Sequence, residues 1–107
     1  MELRQVELRG RGQILAVSEA LHDWWLDLDG MALDDAKHEL RMPFVKSAWG
    51  RRAGRTDVVL VVCGVTSLEV RDPEAVGWYD LSDIVEREGT VTFTFGIPLR
   101  LDASVTW

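Results

Sequence analysis

The sequence has one cysteine, three prolines and two histidines, and no apolar run near the roughly 20 residues that span a bilayer. A single cysteine excludes an intramolecular disulfide. Its place in Val58-Val59-Leu60-Val61-Val62-Cys63 suits a small buried hydrophobe better than a nucleophile. Basic side chains are also short in number: 12 Lys and Arg stand against 18 Asp and Glu, a net charge of −6. That balance argues against sequence-independent nucleic-acid binding and against an anionic membrane surface, since both need a positive field. It suits a soluble domain steered toward a basic partner protein. Met1-Glu2-Leu3-Arg4-Gln5 mixes acid and base with no apolar core of signal-peptide length, so a cytoplasmic location is expected.

What is present is the material of one globular domain. A length of 107 residues suits a single domain over residues 1–107. Trp24, Trp25, Trp49, Trp78 and Trp107 can each bury about 150–250 Å², and are expected to carry much of the core or to mark an interface.

Hydrophobic periodicity gives a mainly β fold with one short N-terminal helix. Glu2–Arg9 reads as a strand. Ile14, Leu15, Val17, Ser18 and Leu21 have the spacing of a short amphipathic helix over 13–21. From Trp24 the period becomes two, with Trp24, Leu26 and Leu28 on one face and Trp25, Asp27 and Asp29 on the other. Gly30 shifts the phase, as a bulge does. Asp34-Asp35-Ala36-Lys37 supplies a turn, and Leu40, Met42 and Phe44 point inward on the returning strand of a hairpin.

The continuous run from Asp57 to Cys63 predicts a strand covered on both faces. Gly64 bends it, and Leu68 and Val70 follow as inward residues. Residues 78–85 read as a short strand or irregular edge. Glu86-Arg87-Glu88-Gly89 is a turn, after which Val91, Phe93 and Phe95 alternate with threonines. Leu99 to Thr106 alternates again. Six or seven strands spaced by about 8–12 residues predict an antiparallel β-sandwich or a curled sheet, with a small open barrel as the alternative.

Two sets of residues are candidates for function. Lys46 to Thr56 is a basic loop in which Trp49, Arg51, Arg52 and Arg55 could grip a phosphate or an acidic surface. His22, Asp23 and His38 form a second, polar set near several carboxylates. Their spacing lacks the paired imidazoles of a metal site, and no metal or cofactor is expected. No nucleophile elbow, phosphate-binding glycine loop or Cys-His arrangement is present, so no catalytic residue is assigned.

Leu21-His22-Asp23-Trp24 followed by an alternating hairpin resembles the opening of small bacterial immunity-type and uncharacterised β-rich proteins. Trp78-Tyr79-Asp80-Leu81-Ser82-Asp83-Ile84, then Gly89 and Phe93-Thr94-Phe95-Gly96-Ile97-Pro98-Leu99, resembles their C-terminal strands. The resemblance covers residues 20–107. It implies a non-catalytic module that neutralises a basic toxin by covering a surface. Two rival functions are a homo-oligomeric structural domain, a homodimer paired through an edge such as Leu99–Thr106, and a small hydrolase or metal-dependent enzyme. The enzyme would need a pocket lined by His22, His38 and neighbouring acids.

Overall fold

In the computed structural model, residues 4–47, 56–73, 75–96 and 98–107 are described. Chain order is β1 (Arg4–Leu8), a 3-10 turn (Arg11–Gln13), α1 (Ile14–Leu21), β2 (Trp25–Asp27), β3 (Ala32–Asp34) and β4 (Glu39–Val45). There follow β5 (Val58–Cys63), β6 (Val65–Arg71), β7 (Trp78–Arg87), β8 (Thr90–Phe95) and β9 (Arg100–Val105). The fold is mainly β with one short helix. Its strands form one open sheet in the order β1-β5-β4-β2-β7-β8-β9-β6, with β3 also on β4.

Three expectations are corrected by this path. The described residues hold nine strands where six or seven were expected, because the stretches around Gly30 and Gly64 each divide into two. The sheet is mixed, since β1 runs parallel to β5, pairing Arg4 with Val58 through Leu8 with Val62. One continuous ladder also replaces the two stacked sheets of a sandwich. Both halves of the path still serve one core, which joins Leu40, Met42, Phe44, Leu60 and Val62 to Leu81, Val91, Phe93 and Leu101.

Strand β5 is buried along Val58–Val62, as its composition predicts. Val58, Leu60 and Val62 enter the core. Val59 and Val61 face the other way, flanked by Gln5 and Glu7 of β1 and by Pro43 and Arg41 of β4. Arg41 Nη2 donates to Gln5 Oε1 at 3.4 Å, so a polar side chain bridges over β5 from one neighbour to the other. The aliphatic stem of such a residue can cover apolar surface while its head stays wet.

The hairpin forms where it is expected, with local detail set by Gly30 and Pro43. β2 and β3 lie in line along one side of β4, and Pro43 falls opposite the gap between them. A residue without an N–H is tolerated where no ladder bond is required of it. Gly30 turns the chain over this gap, and a Cβ there would meet Asp27 Oδ2 at 2.8 Å and Pro43 Cγ at 3.0 Å. Asp34 Oδ1 accepts from the N–H groups of Ala36 and Lys37, the side-chain turn its position predicts.

Strand β7, read from the sequence as short or irregular, is ten residues long and lies inside the sheet. Trp78–Asp80 pair with β2, and Leu81 and Asp83–Arg87 pair with β8, with an irregularity between Leu81 and Asp83. That irregularity hides the alternation. A two-residue turn at Glu88 and Gly89, both at positive φ, leads into β8.

Burial corrects the expected placement of Leu15, Val70 and Cys63. Leu15 is 71% exposed and Val70 44% exposed, so neither belongs to the core. Trp24, Trp25, Trp78 and Trp107 are half-buried, and only Trp24 and Trp107 pack on the core margin. The largest fully buried side chains are Tyr79, Phe44 and Phe93. Cys63 is half-buried rather than fully enclosed, and burial pushes its thiol upward. Strand β9 is not an edge, because β8 and β6 pair with it on either side.

Tyr79 also holds the connection between β6 and β7. Its hydroxyl donates to Asp72 Oδ1 and accepts from the N–H groups of Val76 and Gly77, at 3.0 and 3.3 Å. Burial, then the Asp72 bond, push its pKa upward. Its ring meets Phe95 edge-on, with centroids 6.2 Å apart. Tyr79→Phe keeps the ring and strips the connection of its partner, so it is expected to cost about 1–3 kcal/mol in urea unfolding. An unchanged midpoint would show that the segment holds itself.

Candidate functional site

The basic loop residues Trp49, Arg51, Arg52 and Arg55 lie outside the described residues. The polar set does not assemble as one group. His22 follows the last turn of α1, and its Nε2 lies 3.5 Å from Asp23 Oδ1. His38 is at the β3–β4 turn, where its carbonyl accepts from Val65 N–H at 2.8 Å. Among the described residues no group of three or more His, Cys, Asp or Glu could hold a metal ion.

The His-Asp doublet has a structural explanation. Asp23 takes φ 68°, a left-handed conformation that aspartate tolerates better than most residues. This reversal brings Asp23 N–H to Leu81 O and Leu81 N–H to Trp24 O, both at 2.8 Å, and so starts the pairing of β2 with β7.

Beyond Leu81, β2 has ended and one side of β7 is left without a strand. Helix α1 packs there. Ile84 N–H donates to Ser18 Oγ at 3.2 Å and to Asp83 Oδ1 at 2.9 Å, while Ser18 Oγ donates to Asp83 Oδ1 at 3.1 Å. His22 Nδ1 donates to Ser82 O at 3.0 Å, which places the ring proton on Nδ1 because a carbonyl only accepts. Covering an open edge with a helix is one of the ways sheets avoid unwanted pairing. Ser18 on α1 and His22, just past its last turn, do this with side chains instead of backbone.

Ser18, His22 and Asp83 are the residue types of a hydrolytic triad, but their wiring is different. A serine nucleophile needs its proton taken by an imidazole that a carboxylate orients. Here the serine proton goes to the carboxylate and the imidazole is engaged with a main-chain carbonyl. Ser18 is also only 7% exposed.

On the solvent side of this contact runs a groove of about 460 Å³ between α1 and β7, bordered by Arg11, Leu15, Ser18, Asp83, Val85 and Glu86. Leu15 and Val85 are 71% and 50% exposed, an apolar pair on a surface otherwise rich in acid. Glu19 and His22 extend the border at one end. At the other, Val85 and Glu86 lead onto the outer face of β8 and β9, where Thr92, Thr94 and Arg100 line the next hollow. Three carboxylates, Glu19, Asp83 and Glu86, border the groove with Arg11, whose Nη2 is 3.7 Å from Glu86 Oε1, and Arg87 and Arg100 line the next hollow.

Asp102 anchors the polar face beside the groove. Thr92 Oγ1 donates to its Oδ1 at 2.6 Å, and Arg100 Nε to its Oδ2 at 3.0 Å. Burial alone would raise this carboxyl, but the Thr92 hydrogen bond and the Arg100 charge outweigh it and hold its pKa below the ordinary 3.8.

Sequence reasoning missed Leu15 and Val85. Ile14, Val17, Ser18 and Leu21 complete a helical stripe at i, i+3, i+4 and i+7, so a further apolar residue at 15 is surplus to it. Val85 gave no such signal, because the irregularity at Ser82 masks the alternation of β7. No family model, curated protein or solved structure matches the chain.

Ser18→Ala removes two hydrogen bonds, to Asp83 and from Ile84 N–H, and is expected to lower stability by about 1–2 kcal/mol, since Ile84 N–H keeps Asp83. His22→Ala, at an exposed site, should change the melting temperature much less; a reversed order would disprove the edge-covering role of Ser18. Asp102 carries a depressed pKa, so its stabilisation is present above pH 3.8 and is lost as pH falls through the folded value. Asp102→Asn should therefore be less stable at neutral pH and lose less stability on acidification. Parallel stability–pH curves for the two proteins would refute this.

Proposed function

We propose that the chain is a non-catalytic protein-binding module for a basic partner, of the immunity type that neutralises a toxin by covering its surface. The observation that carries this reading is the exposed pair Leu15 and Val85 on a groove bordered by Glu19, Asp83 and Glu86. Apolar anchors within a charged border are the usual composition of a protein interface, where the anchors supply affinity and the border supplies orientation and encounter rate. A net charge of −6 favours a cationic partner over the whole surface as well as at the groove. Ser18, His22 and Asp83 are engaged in covering a strand edge, which leaves the groove as a surface for contact.

Calorimetric titration with the toxin domain encoded by an adjacent gene tests the proposal. Nanomolar binding that weakens as salt rises is expected. Leu15→Ala with Val85→Ala should weaken it at least about tenfold at an unchanged melting temperature, the loss typical of interface anchors. Absence of binding would overturn the toxin-neutralising reading, and equal affinity of the double variant would remove the groove from it.

A further inference from the structure

The sheet path ends on β6, which among the described residues pairs only with β9. Five of its seven residues are exposed. Edge strands are commonly protected by proline, charged side chains (lysine above all), bulges or short length. β6 contains neither proline nor lysine, and its one irregularity lies at the start, between Val65 and Ser67, leaving Ser67–Arg71 regular.

The side chains on this regular stretch have a self-complementary order. Val70 lies opposite the buried Leu101 and is 44% exposed. Glu69 and Arg71 flank it on the outer side and pair with one another, Arg71 Nε to Glu69 Oε1 at 2.9 Å, with side chains 60% and 61% exposed. In an antiparallel pair, residues directly opposite each other share a face and interact across the strands. A two-fold axis through Val70 therefore sets Val70 against Val70 of a second copy, Glu69 against its Arg71, and Arg71 against its Glu69. An axis through Glu69 would oppose like charges, and so would one through Arg71.

We infer that a second copy of this chain docks on β6, antiparallel and centred on Val70, extending the sheet across the dimer. The contact satisfies an open row of main-chain groups, covers the exposed valine and exchanges two intrastrand ion pairs for two cross-strand ones. It is isologous, as a two-fold contact must be. It uses a surface separate from the α1–β7 groove, so the two proposals stand or fall independently.

Sedimentation equilibrium between about 10 μM and about 1 mM decides the matter, a range suited to a contact of modest affinity. The wild-type chain should associate to a dimer and no further. Glu69→Arg, and separately Arg71→Glu, should each weaken self-association about tenfold by setting like charges opposite one another. Mixing the two variants should restore dimers, now heterodimers, because the paired arginines of one chain then meet the paired glutamates of the other. The chain carrying both substitutions should dimerise like the wild type. Leu15→Ala with Val85→Ala should leave dimerisation untouched. A wild-type monomer throughout, single variants that associate as tightly as wild type, or a mixture that stays monomeric would each overturn the inference.

Discussion

The arrangement depends on one strand having two kinds of neighbour along its length. Strand β7 pairs with β2 over Trp78–Asp80 and with β8 from Leu81 onward, so it joins the half of the sheet that holds β4 and β5 to the half that holds β8, β9 and β6. Where β2 stops, main-chain groups on that side need partners, because an unsatisfied buried polar group costs more than a hydrogen bond returns. Ser18 and His22 supply them, and the spacing of Ile14, Val17 and Leu21 fixes the helix so that both reach the strand. The helix position, the groove beside it and the exposure of Leu15 all follow from the end of β2.

Charge and shape act at different scales on this surface. The overall negative charge acts at a distance and governs encounter, whereas Leu15 and Val85 act only on contact. On β8, β9 and β6 the charges are instead matched locally: Asp102 is held by Thr92 and Arg100, and Glu69 by Arg71. At the groove the carboxylates Glu19, Asp83 and Glu86 outnumber the one guanidinium, Arg11.

Much of the fold is legible in the sequence, and the failures have physical causes. The period-two stretches at Leu40–Phe44 and Val91–Phe95 bury the residues their alternation marks. The unbroken Val58–Val62 run is enclosed on both faces. Failures come where a local pattern is interrupted or where the deciding partner is distant. The irregularity at Ser82 disguises β7, and parallel pairing of β1 with β5 leaves no local trace in either strand. Tryptophans are expected in the core, at its rim or at an interface; the described ones are half-buried, and Trp24 and Trp107 pack at the core margin, where a large ring with a polar N–H sits readily. Trp107, whose Nε1 donates to Cys63 O at 2.7 Å, is a case of this. The site was least legible of all, because exposure of Leu15 and Val85 depends on how α1 meets β7.

The parallel pairing of β1 with β5 also bears on how the chain folds. Every contact in that ladder joins residues more than fifty positions apart, while β4–β5 and β7–β8 close over much shorter loops. Such long-range closure is entropically expensive early on, and chains rich in it fold slowly. The hairpins are thus positioned to form before the β1–β5 and β2–β7 ladders, and β1 then closes the free side of β5. Until it does, that valine-rich strand has an open flank, the interval in which a nascent or refolding chain is most prone to aggregate.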